Sequence, residues 1–447
     1  MTARGILSYG AYLPYRRLDR AEIRAVAGTG GGKGTRTVAS YDEDSTTLGV
    51  AAARRALLAA PGVKPASLWF ATVSPAYLDK TNATAIHAAL RLPDDAPAFD
   101  ALGAVRSALG ALRAGLAGPG PALVVAADIR TGRPGSPDES EGGDAGAALV
   151  VGSDADGPLV AEVLGTAGAT EEFLDRWRVP GETHSRRWEE RFGEGRYASL
   201  GARAWEDGLK AAGVLPEQVD RVVIAASHGR AAATLARTLG VGDRLAPGLD
   251  ATVGFTGAAH PALLLAGTLD RAGPGEVIAL VVLADGADVL VLRTTEALAA
   301  SRPAVTLADQ VAAGAPLPYG KALAWRGYLP VEPPRRPEPA RPSASAAGRS
   351  TDWKFGLVGP DERHLADVRG TIATYTVDRL AYSPSPPVVF AVVDFDGGGR
   401  LPVELTDVDA EDVAIGGRVE MTFRRLFTAD GIANYFWKAR PVREGSA

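Results

Sequence analysis

Cysteine is absent from the 447-residue chain. Its absence excludes disulfides, a thiolate nucleophile and any cysteine-ligated metal. Histidine is scarce: the five are His87, His184, His228, His260 and His364, and no two have the spacing of a ligand pair, so no metal is expected. Long runs of one charge are also missing. With 48 basic against 53 acidic residues and a formal charge of −5, neither nucleic acid nor an anionic membrane surface is an expected partner. No apolar run is long enough to span a bilayer, and the opening "MTARGILSYGAYLP" carries no long apolar core or small-residue cleavage site. A cytoplasmic location is the expectation.

What is present is alternation. "GILSYGAYLP", "SLWFATVS", "PALVVAAD" and "AGAALVVG" read as strands of buried type, and "STTLGVAAARRALLAA", "TNATAIHAAL" and "VRSALGALRAGL" read as helices between them. This is the pattern of an α/β layered fold. "GTGGGKG" at 28–34 has neither the preceding strand nor the closing Lys-Ser/Thr of a phosphate loop, and reads as a surface loop.

The pattern then repeats. "AAARRALLAAPGVKPASLWFATVS" (51–74) is matched by "WEDGLKAAGVLPEQVDRVVIAAS" (205–227), so that Ser74 corresponds to Ser227. "AVRSALGALRAGLAGPGPALVVAAD" (104–128) is matched by "AHPALLLAGTLDRAGPGEVIALVVLAD" (259–285), anchored on Gly-Pro-Gly. Counting back equally from each Gly-Pro-Gly places Val105 and His260 at equivalent helix starts.

A duplicated α/β unit with "YDEDSTTLGVAAARRAL", "SPAYLDKTNAT", "FDALGAVRSALGAL", "GGDAGAALVVG" and "GFTGAAHPALLLAGTLDRAGPGEVIALV" in this order resembles the thiolase superfamily. Within it, the chain is most similar to the hydroxymethylglutaryl-CoA synthase branch and to 3-ketoacyl carrier-protein synthase III. The resemblance covers roughly residues 3–330. It implies a duplicated thiolase-like layered fold, a substrate that is an acyl-CoA or acyl carrier-protein thioester, no bound cofactor, and a homodimer whose sheet is extended through "PALVVAAD" across a two-fold axis. It divides the layered domain into halves 1–165 and 166–329.

The resemblance also implies a catalytic set, and this sequence departs from it at every position. The acylated cysteine of the family falls on Val105, its glutamate on Val73, the histidine of its HxPN motif on Ala225, and the asparagine on His228. Valine cannot attack a thioester, so no acyl-enzyme is expected there. The remaining candidates for proton transfer are His228, His260, Tyr77 and Asp79, with Val105, Ser74, Ser227, Lys80 and Arg230 as candidates for holding the substrate. Each has a structural alternative. His228 lies between a strand and a helix, where it serves either chemistry or an N-cap. His260 opens an apolar helix before Pro261, either as a neutral donor to a carbonyl or as a core histidine. Tyr77, Asp79 and Lys80 share a loop that is either a proton relay or solvated surface. Two functions follow: an enzyme making or breaking a C–C bond, or moving an acyl group, without a cysteine nucleophile, and an inactive thioester-binding scaffold that supports a partner enzyme.

After residue 329 the composition changes. "PVEPPRRPEPARPSASAAG" marks a Pro-rich linker over 330–352. Beyond it, "RGTIATYTVD", "PPVVFAVVDFD", "RLPVELTDV", "GGRVEMTFRRLF" and "IANYFWKARPV" are five strand-like runs between Gly, Pro and Asp turns, the pattern of a small β-barrel over 353–447. They resemble the acyl-CoA-associated OB-fold domain of thiolase-like proteins, without the cysteine pairs of the zinc ribbon that usually precedes it.

Overall fold

The computed structural model describes residues 2–332, 336, 338, 352–357 and 363–443, so most of the expected linker lies outside the described residues. Nine strands form one sheet: β1 (Arg4–Tyr12), β2 (Ser67–Thr72), β3 (Ala98–Leu102), β4 (Ala122–Asp128), β5 (Ala145–Ser153), β6 (Ala161–Ala169), β7 (Arg221–Ala226), β8 (Val277–Leu283) and β9 (Ala287–Thr294). Their order is β7-β8-β9-β6-β1-β5-β4-β2-β3. The sequence repeat is visible in the pairing. β2 runs parallel to β4, which is antiparallel to β5, and β7 runs parallel to β8, which is antiparallel to β9. The halves meet where β1 pairs with β6, Gly5 opposite Glu162.

Strands buried on both faces must be apolar throughout, and β4 and β8 are buried at every position. Among the helices that flank this sheet are α1 (Ser45–Leu58), α2 (Ala83–Leu90), α3 (Ser107–Ala117), α4 (Glu190–Ala212), α5 (Gly229–Leu239) and α6 (His260–Leu269). The repeat-related helices α3 and α6 share one core with the inner faces of both half-sheets. In α6 the buried side includes Leu263, Leu264, Leu265 and Leu269, a helix apolar all round because it is covered all round. Each such leucine contributes about 2 kcal/mol by leaving water. Helix α4 instead buries one stripe, Tyr197, Leu200, Ala204, Trp205 and Leu209, against the outer face of the second half.

The expectation that "PALVVAAD" extends the sheet to a second copy is corrected. That segment is β4, and its two edges are already taken by β2 and β5. The edge on this side is β3, whose Phe99 packs on Trp69 and stays 43% exposed.

The C-terminal strands β10 (Gly370–Asp378), β11 (Val388–Phe395), β12 (Arg400–Glu404), β13 (Arg418–Ala429) and β14 (Ile432–Pro441) form a five-stranded sheet in the order β12-β11-β10-β13-β14. A bridge between Leu405 and Ala439 joins its two ends into a barrel. The barrel sits on the start of α1. Asp44 caps α1 through Thr47 N–H at 2.9 Å, and its other oxygen accepts from Tyr435 Oη at 2.9 Å. Arg424 meets Glu43 at 2.6 Å and Asp407 at 2.5 Å, while Lys438 reaches Asp42 at 3.0 Å and Glu404 at 2.7 Å. Burial alone would raise the Asp42 carboxyl, but Lys438 and Arg424 overcome it and leave it at about 2. No helix among the described residues is long and apolar enough to cross a membrane.

Candidate functional site

Two strand ends and two turns converge on a cavity of about 570 Å³, within the range of small-molecule sites. Its wall includes Val73 and Ser74 after β2, Ser227 after β7, Val105 before α3, Tyr197 of α4, and Asp285 after β8. Residues equated by the repeat, Ser74 and Ser227, thus line one space. The segment Arg176–Glu182 supplies another side of the wall, tied down where the Arg178 guanidinium donates to the Val73 carbonyl.

The first-half strand end is fixed by Asp128. This fully buried carboxylate accepts from Thr72 Oγ1 at 2.7 Å, Val73 N–H at 2.8 Å and Ser74 Oγ at 3.0 Å. Its other oxygen accepts from Ala258 N–H, one turn before α6, at 2.6 Å. Burial pushes the carboxyl above its usual range, and these donors, with Ser74 N–H at 3.2 Å as a fifth, compensate for the lost water. Gly257 must be glycine for this contact: at φ +60° a Cβ would stand 2.1 Å from the Asp128 carboxylate.

On the second side, Tyr197 is buried, and its hydroxyl hydrogen-bonds Ser227 and reaches Asp175 Oδ2 at 3.4 Å. Burial raises the phenol further above neutrality, so it stays protonated. Arg106, the residue after Val105, donates to Asp288 Oδ2 at 2.7 Å and to the Asp285 carbonyl at 2.9 Å. The head of α3 and the β8–β9 turn are therefore one unit.

Of the residues singled out in the sequence, Ser74, Val105 and Ser227 are brought together in this wall. His228 is not among the wall residues; it caps α5, with Nδ1 accepting from Ala231 N–H at 3.1 Å. Nε2 must then carry the proton, which it donates to the Glu190 carbonyl at 2.8 Å. His260 also lies outside the wall, buried beside the Phe255 ring, with Nδ1 3.4 Å from Thr256 N. Burial pushes this imidazole down to about 4, so it is neutral at pH 7. Tyr77 turns toward the barrel, its hydroxyl accepting from Ala433 N–H at 2.8 Å, while its loop neighbours Pro75 and Leu78 reach the cavity. Asp79 and Lys80 are exposed, and Lys80 donates to Thr84 Oγ1 at 2.9 Å. Arg230 is exposed and pairs with Glu190 at 3.3 Å.

The residues that sequence reasoning missed are Asp128, Tyr197 and Asp285. For two of them a signal existed, because the matched repeats end on Asp128 and Asp285. Tyr197 lies two turns before the matched stretch of its helix, which begins at Trp205, so the repeat does not reach it.

Known proteins agree with this architecture. The family model described as "ChsH2, C-terminal OB-fold domain" matches residues 362–424. The hydroxymethylglutaryl-CoA synthase of Pyrococcus furiosus is 32% identical over 293 residues, which are 63% of this chain and 83% of that protein. That of Methanopyrus kandleri is 32% identical over 300 residues, 63% of this chain and 85% of that protein. Among solved structures, a hydroxymethylglutaryl-CoA synthase complexed with CoA superposes with a TM-score of 0.63 at 18% identity, over 72% of this chain and 89% of its own. The 3-oxoacyl-(acyl carrier protein) synthase III of Pseudomonas aeruginosa gives 0.57 at 22% identity, over 66% of this chain and 99% of its own. With the duplicated sheet, the paired central helices and these relatives together, the chain belongs to the hydroxymethylglutaryl-CoA synthase family of the thiolase superfamily, joined on one polypeptide to an OB-fold barrel.

Proposed function

We propose that the protein binds a coenzyme A or carrier-protein thioester in the 570 Å³ cavity and makes or breaks a C–C bond on it without forming an acyl-enzyme. The observation that carries this reading is Val105. It stands at the head of α3 in the wall of an open, partly polar cavity, in a family whose relatives act as condensing enzymes on acyl thioesters. A side chain without a nucleophile removes the covalent route, whereas the N–H groups of the first turn of a helix still favour negative charge, here the oxygen of a thioester enolate.

The rest of the wall supports chemistry over passive binding. Ser74, Ser227, Tyr197 and Asp285 offer hydroxyl, phenol and carboxyl groups, where an inactive scaffold needs only apolar contact. His228, His260 and Tyr77 serve in this reading as supports one layer out, through the caps and contacts described above, while the exposed Asp79 takes no part. Two copies pairing along the β3 edge complete the assembly.

The test is to incubate the protein with β-hydroxyacyl- and β-ketoacyl-CoAs, and with small acyl-CoAs plus aldehydes, following products by liquid chromatography and mass spectrometry. Thioester turnover without a protein adduct is expected. Binding without turnover, together with activation of a partner enzyme, would instead establish the scaffold.

A further inference from the structure

Asp285 occupies the three-residue turn between β8 and β9, where Leu283 pairs with Ala287. Its φ of +48° is left-handed, a region that non-glycine residues enter at a cost and that aspartate tolerates better than most. The backbone is held on both sides. Its N–H donates to Tyr197 Oη at 3.3 Å, and its carbonyl accepts from Arg106 Nη1 at 2.9 Å. Through Arg106 the turn is registered to Val105, its neighbour in the cavity wall.

The side chain is treated quite differently. Among the described residues, no hydrogen bond or ion pair engages the Asp285 carboxylate, and it is exposed to the cavity. Its repeat counterpart Asp128 is saturated with donors and sealed. The other carboxylate of the wall, Glu182, is engaged by Arg186. Partial burial and the nearby carboxylate of Asp175 raise the Asp285 carboxyl above its usual range, Arg106 opposes them, and Glu172 adds to the rise. A strained backbone thus presents an unpartnered carboxylate of increased basicity beside a helix start that has no nucleophile.

We infer that Asp285 is the proton-transfer group of the cavity and that its substrate class is a β-hydroxyacyl thioester handled by aldol-type chemistry; this rests on reading the cavity as a thioester site. Acyl transfer through the protein needs a nucleophile, whereas an aldol-type step needs only a group that takes up and returns one proton. In cleavage, the carboxylate takes the β-hydroxyl proton, the O–H electrons form the new C=O, and the Cα–Cβ bond breaks. Its electron pair enters the thioester as an enolate, and Asp285 returns the proton to Cα. No oxidant or reductant is required.

The half-reaction is testable without knowing the natural substrate. Full-length protein in D₂O with propionyl-CoA should exchange the α-protons, read by mass spectrometry, at a rate that rises with pH along a carboxylate limb. Asp285→Asn keeps the volume and the left-handed tolerance but cannot titrate. It should lose about 10²- to 10⁴-fold in exchange, and in cleavage of a β-hydroxyacyl-CoA, with little change in propionyl-CoA affinity. Asp285→Glu should retain part of the rate and the pH limb. Exchange by Asp285→Asn at the wild-type rate overturns the assignment, as does wild-type protein that binds propionyl-CoA without exchange, which leaves the binding half of the proposed function standing. Failure to bind any thioester overturns both.

Discussion

Lys438 of the barrel and Asp42 of the layered domain meet at 3.0 Å with both side chains closed to solvent. Removing the buried cation leaves the Asp42 carboxylate with Arg424, 3.5 Å away, as its remaining counter-charge. Lys438→Met should therefore destabilise the protein by about 3–5 kcal/mol, read by urea denaturation, whereas replacing both partners by apolar residues should cost much less. Equal losses from the single and double variants would show that the pair is not coupled.

The valine at the head of α3 predicts a negative chemical result. Intact-mass measurement after incubation with a panel of acyl-CoAs should show no addition, while Val105→Cys should become alkylated by iodoacetamide in the cavity. An acyl group mapped to the 98–115 peptide of the wild-type protein would contradict the assignment of Val105.

His228 holds an N-cap with one ring nitrogen and a carbonyl with the other. His228→Ala should cost about 1 kcal/mol, largely restored by His228→Asn, which can also cap. Thioester affinity and turnover should change little. A loss of about 10²-fold or more in turnover at unchanged stability would place the ring in the chemistry instead.

His260 gives a pH dependence of definite sign. Its folded value of about 4 lies below the ordinary 6.5, so between these values the unfolded chain binds a proton that the folded chain refuses. Stability should fall as pH drops from 6.5 to 4, with about 3 kcal/mol attributable to this ring. In paired denaturation series, wild type should lose stability over this pH range while His260→Leu should lack that share of the slope. Identical pH profiles would refute it.

The β3 edge, with Phe99 exposed, is a template for a second sheet. Light scattering at micromolar concentration should give a dimer, and Phe99→Lys should shift it toward monomer. A wild-type monomer under those conditions would rule the edge out as an interface.

Much of the fold was legible because burial on both faces writes itself into composition: "PALVVAAD" and "VIALVVL" can only be internal strands, and the repeat that relates them survives as strand pairing. Reading "PALVVAAD" as an edge failed because apolar content reports burial, not which neighbour provides it. In "YDED" before α1 the sequence shows only polar residues ahead of a helix. Their partners Arg424, Tyr435 and Lys438 lie nearly 400 positions away, and no local pattern announces a salt bridge of that span. In the site, Val105, Ser74 and Ser227 were visible through the repeat, whereas for Asp285 the repeat marked only the position and not the role. Its role depends on a left-handed turn and on the absence of partners, and neither is written in its neighbours.

The hydrogen bond from Ala433 N–H to Tyr77 Oη makes the barrel a neighbour of the loop that carries Pro75 and Leu78 into the cavity wall. Since barrel and layered domain belong to one chain, this contact forms by a unimolecular step, governed by an effective concentration rather than by the amount of protein present. Dilution cannot strip the barrel from the loop, and no excess of free barrel is needed to saturate it. The stoichiometry is fixed at one barrel for every cavity.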